Sequence, residues 1–434
     1  MEYLVIFLAV IPFAMMAMAF VNLKLALSMY IMYIVCVPYL NINFLGIKLS
    51  YNLVHVIFGV AFLLEFRHKG QRIVYKESRP YILFFFTTFL LMLFQDRIPF
   101  SEQFHFWRVD FMVTLFVPFI IYNMSRYDCR LSVYLMWALF GAMLISGLYA
   151  AFLHFLPPGV NPYLMILAPL NGEEYDITYA DDALRAIPRI FSTFTHPLVW
   201  CLFLSFFIIS FWNYYGTIRK KFYIIILLLA FYDIVFCGVR TGMVALMVPF
   251  LYLFVKRGNV KILFYVFLAS FAFILAMSIN DTLFDYFYSI IDNSQTETKG
   301  SSMEMRLVQW EGCVEECEGR EIIGNGYRWT DYYNLKRGNH PKAVTFESLL
   351  FVVYTNWGLF GFLVWGLFFY GIYIVNKTIK RPKIASYSLN AILIHYFIFS
   401  TLTGEYQYMR WFALFHSIIY SHFLCMSRSL KTSV

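Results

Sequence analysis

The chain has 434 residues, of which 61% are hydrophobic, 21% aromatic and only 14% charged. A soluble protein carries about 25% charged residues, so the composition excludes an ordinary water-soluble domain and predicts one that dissolves in lipid. The net charge of +8 sits in short loops between apolar runs, which orients a polytopic protein and is not a nucleic-acid footprint.

Apolar runs of about 18–22 residues recur along the chain, each long enough for a hydrocarbon core of about 30 Å. They predict about 12–13 membrane helices near 3–20, 24–41, 51–66, 80–95, 108–124, 132–155, 194–214, 222–238, 241–255, 262–279, 346–375, 386–402 and 409–426. The first run lacks a basic start and reads as a retained helix rather than a signal peptide. The expected fold is an all-α polytopic membrane protein, one integral membrane domain over 1–434.

Basic clusters at Arg67 to Lys76, Arg219 to Lys221, Lys256 to Lys261 and Lys377 to Lys383 fall on one side, the cytosolic one by the positive-inside rule. Two long loops, 156–193 and 280–345, then face outward. The first carries an acidic run from Glu173 to Asp182. In the second, Met303, Leu307, Trp310, Val314 and Cys317 recur at helical spacing. They predict an amphipathic helix on the outer membrane surface or capping the bundle. The seven cysteines are scattered without a CxxC pair, and no nucleotide loop, HExxH, GxSxG or zinc spacing is present.

Glu347 stands where a polar loop meets a long apolar helix. Gly358 and Gly361 follow by eleven and fourteen residues, within roughly 20° and 40° of the same helix face. This predicts an acid at the membrane surface above a smooth groove for close helix packing. Thr345 is expected to cap the helix, with Glu347 in its first turn, a place that suits both the helix dipole and a general base.

Arg240 lies in the turn Cys237-Gly238-Val239-Arg240-Thr241-Gly242. An interface anchor and an anion ligand fit it about equally, and the glycine-rich helix start favours the second. Arg306, on the edge of the amphipathic stripe, reads as a solvated charge or as a second ligand for phosphate. His340 is a solvated loop residue or a supplementary base. Arg189 and His196 either pack or line the outer mouth. Asp233, nearly alone at depth, is a functional flag or a counter-charge to Arg240. Glu405 and Arg410, in the last outward loop, form an exposed ion pair or bind sugar.

At these residues the chain resembles the bacterial O-antigen polymerases and O-antigen ligases. Arg189 to Pro197 is similar to the family's basic-aromatic-Thr-Phe-x-His-Pro entry to a middle helix, and Val239 to Gly242 to its Ser-Arg-Thr/Gly-Gly helix start. Arg306 with Trp310, then Gly324-Asn325-Gly326, resembles the Arg-x-x-x-Trp and Gly-x-Gly of the large periplasmic loop. Glu347-Ser348, nine residues, then Gly358-x-x-Gly361 resembles the ligases' His-(Asn/Ser/Gln)-x9-Gly-x-x-Gly. The histidine is replaced by Glu347, which leans toward the polymerase branch.

The resemblance implies a glycosyltransferase of the bacterial inner membrane with its active site facing the periplasm. Its partners would be an undecaprenyl-diphosphate-linked oligosaccharide and membrane lipids, with room for a chain-length regulator protein and no nucleic acid. It implies no metal and no cofactor. Glu347, Arg306 and Arg240 would be catalytic; Arg189, His196, His340, Trp310, Glu405 and Arg410 would bind substrate. The alternatives are a ligase, with a different acceptor, and a transporter of lipid-linked sugars, for which inverted repeats and midplane charges are expected.

Overall fold

The computed structural model describes residues 2–37, 41–44, 47–157, 159–170, 189–213, 220–257, 303–343, 346–379, 382–405 and 408–432. The helices are α1 (Glu2–Val21), α2 (Leu23–Cys36), α3 (Tyr51–His68), α4 (Arg79–Met92), α5 (Phe100–Met124), α6 (Arg130–Leu153), α7 (Pro162–Leu170), α8 (Pro197–Asn213), α9 (Lys220–Phe236), α10 (Arg240–Arg257), α11 (Met303–Glu316), α12 (Trp329–Arg337), α13 (Leu349–Asn376), α14 (Lys383–Thr403) and α15 (Tyr408–Thr432). Every expected membrane segment coincides with one of them except 262–279, which lies outside the described residues, as does the acidic run 173–182. The protein is all-α and polytopic. Four described helices, α5, α6, α13 and α14, are long and apolar enough to cross a bilayer, and several shorter ones are equally apolar.

One local expectation fails between 37 and 50. The helix expected over 24–41 stops at Cys36, because Val37 precedes Pro38 and is extended (φ −125°). An antiparallel hairpin follows, β1 (Asn41–Phe44) on β2 (Ile47–Ser50), with Asn41 opposite Ser50 and Phe44 opposite Ile47. Ser50 then caps α3.

The centre is built from α8, α14 and α15. Residues 199–211 of α8 are buried on every face, as a helix that is apolar all round must be. Its serines bond inside their own helix, Ser205 to Cys201 O and Ser210 to Phe206 O. Around this centre α4 packs on α13, α2 on α6, and α10 on α14. A smaller core of Ile98, Cys313, Cys317, Trp329, Phe346 and Phe351 joins α11 and α12 to the start of α13.

A buried polar chain ties the other end together. The Tyr122 hydroxyl meets His416 Nδ1 at 2.6 Å, and His416 Nε2 meets Asn376 Oδ1 at 2.6 Å. Asn376 donates to Asn390 at 2.9 Å. Beside it, Glu77 accepts from Arg126 and from the Tyr420 hydroxyl. Buried polar groups inside apolar helices need partners, and these find them on α5, α13, α14 and α15.

Candidate functional site

The site is organised by a break in α13. Gly358 has φ +61° and ψ −154°, a conformation open to glycine and little else. A regular helix would bond the amides of Leu359 and Phe360 to the carbonyls of Thr355 and Asn356. Here the loop 321–326 takes all four groups. Leu359 N donates to Glu321 O at 2.7 Å and Phe360 N to Ile322 O at 3.0 Å; Asn325 N and Gly326 N donate to Thr355 O and Asn356 O at 3.0 Å each. A Cβ on Gly324 would lie 2.5 Å from Trp357 N, and one on Gly358 2.5 Å from Glu321 O. The expected packing groove at Gly358 is therefore a helix break filled by the loop's backbone, and the Gly324-Asn325-Gly326 segment is its complement. Gln95 Nε2 also donates to Asn356 O at 2.9 Å, and Gln103 Oε1 accepts Tyr327 N at 2.8 Å, which pins the loop to α5.

Helix α13 has 28 residues, a rise of about 42 Å against a core of about 30 Å. Ser348, extended at φ −154°, caps the helix by accepting Leu350 N at 3.2 Å. Thr345 lies outside the described residues. Glu347 is thus one residue ahead of the cap rather than in the first turn. Its amide donates to Gln309 Oε1 at 3.3 Å.

Arg306 is half-buried and bridges two elements. Its guanidinium donates to Leu402 O at 2.6 Å, near the C-terminus of α14, and to Glu347 O at 3.4 Å. Leu402 is among the carbonyls that a helix end leaves without a partner, so a cation there is doubly favoured. Burial pulls the Arg306 pKa below its ordinary value and the nearby Glu347 pulls it back.

Arg240 opens α10 and is nearly buried. Gly238 before it has φ +66°. Gly242 lets this turn approach its neighbours, since a Cβ there would overlap Cys201 Sγ and lie 3.2 Å from Phe399. Phe399 is one helical turn before Leu402, so the Arg240 turn and the Arg306 guanidinium meet the same end of α14. Arg189 acts electrostatically on His196 and on Cys201, which brings both to this end as well. His196 Nδ1 accepts Leu198 N at 3.1 Å and so caps α8.

Glu405 and Arg410 are half-buried and do not pair with each other. Glu405 accepts Tyr408 N at 3.3 Å and Met409 N at 2.9 Å, capping α15, and burial raises its pKa to about 7. Both line a cavity of about 70 Å³ with Asp110, Tyr327, Arg328 and Trp357. The Tyr327 hydroxyl donates to Asp110 at 3.1 Å, and Arg328 lies 3.5 Å from Asp110 and 2.5 Å from Asp331. Arg328 has φ +55°, a strained value for a side-chain-bearing residue. Among the described residues the other two non-glycine residues of positive φ are Ser192 and Phe346. All three therefore fall in or beside the segments singled out from sequence.

Asp110, Tyr327 and Arg328 were not singled out as a group. Asp110 sits in an apolar run just as Asp233 does, so Asp233 is not alone, and the rule that flags one flags both. Asp233 is buried, and its Oδ2 has no hydrogen-bond partner among the described residues.

Two further residues have packing roles. His340 is buried; Nδ1 accepts Lys342 N and Ala343 N at 3.2 and 2.8 Å, and Nε2 faces Glu316 at 3.3 Å. It is a loop clasp, not a solvated residue. Trp310 lies on Phe351 and Tyr354 of α13, with ring centroids 5.8 and 5.1 Å apart. The stripe on α11 is rotated from the expected one. Gln309, Gly312, Cys313 and Cys317 face inward, while Leu307 and Val314 are 61% and 42% exposed. The small residues face in because α11 lies close against the 340–343 loop and α13; a Cβ on Gly312 would sit 2.8 Å from Lys342.

Among the described residues no cluster of His, Cys, Asp and Glu is arranged to hold a metal. A bundle of apolar helices with an arginine-rich, acid-bearing cap at one end is the architecture of a multi-pass membrane protein. Residues 224–366, which include Arg240, Arg306 and Glu347, match the family described as O-antigen ligase, and the match supports the O-antigen ligase and polymerase family for this chain. No curated protein matches it.

Proposed function

We propose that the protein is a surface-polysaccharide polymerase, transferring a polyprenyl-diphosphate-linked glycan to a sugar hydroxyl of another lipid-linked repeat unit at the periplasmic face. Arg240 and Arg306 bind the diphosphate with charge-assisted hydrogen bonds and stabilise it as it leaves. Glu347 accepts the proton of the acceptor hydroxyl. The acceptor oxygen forms its bond to the anomeric carbon from the face opposite the diphosphate. The old carbon–oxygen bond breaks with its electron pair passing to the diphosphate, and the anomeric centre inverts. The diphosphate is an activated leaving group, so the reaction calls for no metal. Glu405 and Arg410 face the acceptor sugar across the Asp110–Arg328 cavity, and Arg189 and His196 flank the diphosphate.

The observation that carries this reading is the Arg306 bridge from Leu402 O to Glu347 O, inside the matched segment and at the end of α14 that the Arg240 turn also contacts. The matched family's description keeps the ligase as the second reading, with the same residues and a lipid-core acceptor. Deleting the gene and resolving the cell's surface glycan on a gel separates the readings. Single-repeat products support the polymerase, full-length chains left on polyprenol support the ligase, and loss of all outward lipid-linked sugar points to transport. Complementation by Glu347→Gln with normal long chains would remove Glu347 from the mechanism.

A further inference from the structure

The far end of the bundle holds a second feature that the transfer reaction does not use. α4 and α13 pack with opposite sense: Pro80, at the start of α4, lies against Gly371, near the end of α13, where a Cβ would sit 3.0 Å from Pro80. Beside that contact runs a cleft of about 470 Å³, lined by Leu83, Thr87, Phe360, Leu363, Leu367 and Ile374. Leu83, Leu363 and Leu367 are more than half exposed, so the cleft opens sideways toward lipid. Along α4 it extends from Arg79 to Thr87, about 12 Å of the roughly 15 Å that one leaflet's hydrocarbon occupies.

The rim of the cleft at the Arg79 end is cationic. Lys76 and Arg79 line it, are exposed, and make no ion pair among the described residues. Glu77, the acid between them, is buried and engaged by Arg126 and Tyr420. Lys377 lies close by in sequence to the lining residues Val375 and Thr378, with its ammonium over the Tyr373 ring at 4.3 Å. Two exposed cations above an apolar slot match the two parts of a negatively charged lipid.

We propose that the α4–α13 cleft binds an anionic phospholipid of the cytosolic leaflet, its acyl chain in the cleft and its phosphate on Lys76 and Arg79. The leaflet follows from the basic residues at this end and the positive-inside rule. A zwitterionic headgroup carries its own cation to the rim and gains little there. An anionic one gains about fivefold in affinity per basic residue, about 25-fold for the pair.

The test uses the full chain, purified in detergent and exchanged into nanodiscs. Retention of phosphatidylglycerol, of phosphatidylcholine with the same chains, and of a polyprenyl phosphate is read by native mass spectrometry. Phosphatidylglycerol is expected to be retained about 25-fold over phosphatidylcholine. Lys76→Gln with Arg79→Gln should abolish that preference, while Lys76→Arg with Arg79→Lys should keep it. Leu367→Trp should fill the cleft and expel the lipid. Equal retention of the two phospholipids by the unaltered chain, or a preference unchanged in the double glutamine variant, overturns the proposal. Displacement of phosphatidylglycerol by polyprenyl phosphate at equal concentration overturns the phospholipid assignment.

Discussion

Replacing Gly358 by Ala tests whether the break in α13 is a built feature. The backbone at φ +61°, ψ −154° costs a side-chain-bearing residue about 1–3 kcal/mol. The added Cβ would also lie 2.5 Å from Glu321 O and 2.6 Å from Ile322 C, both backbone atoms that cannot swing aside. The loop must then retreat, and the four backbone bonds from Glu321, Ile322, Asn325 and Gly326 weaken together, each worth about 1 kcal/mol net and more if its partners stay buried. A loss of about 3–6 kcal/mol is expected. Gly366, in the same helix, is the control: a Cβ there meets nothing within 4 Å, so Gly366→Ala should be neutral or stabilise by up to about 1 kcal/mol. The assay is thermal unfolding of the detergent-solubilised protein followed by size exclusion, with the cell's glycan ladder as the functional readout. Gly358→Ala that melts with the parent and supports a normal ladder would refute the account of the break.

Glu347→Gln and Arg306→Ala should each stop chain growth while the protein still reaches the membrane, read by glycan gel and immunoblot; for Arg306→Ala, a lower melting temperature is also expected from the uncapped end of α14. Arg240→Lys should slow growth by tenfold or so without abolishing the fold, because an ammonium cannot fork onto two phosphate oxygens. Glu405 sets a pH response. Its pKa rises from 4.5 to about 7 on folding, so the folded state holds the proton more tightly. That contribution to stability is fully present below 4.5 and is lost as pH rises through about 7. Glu405→Gln should flatten the melting temperature over this window; an unchanged slope would show that Glu405 does not titrate there.

The spanning helices were legible because each is a long apolar run, and the run is the physical cause of the span. Glu347 and Arg240 stand out in the sequence as polar residues at the ends of such runs, and Arg306 as a charge on the edge of the amphipathic stripe. What the letters concealed was nonlocal. Gly358 at helical spacing looks the same whether it makes room for a helix or bends one, and the decision rests with Gly324 and Gly326, more than thirty residues away. The stripe on α11 differs from the expected one because hydrophobicity ranks Leu307 above Gly312, whereas a close approach to Lys342 and Ala343 selects the smaller residue. The hairpin after α2 has a local signal in Pro38, which the apolar residues around it mask. Asp110 was legible by the rule applied to Asp233, and its pairing with Tyr327 and Arg328 required the fold.

The Tyr122–His416–Asn376 chain has a consequence for biogenesis. Tyr122 and His416 are 294 residues apart. At about 5–20 residues per second, the α5 hydroxyl waits roughly 15–60 s in the bilayer before its partner is synthesised. During that interval it must borrow a carbonyl of its own helix, a water or an insertion factor. Helix α15 is thus the one that releases α5 from its temporary partner, and a nascent chain truncated before α15 should remain a client of the insertion machinery.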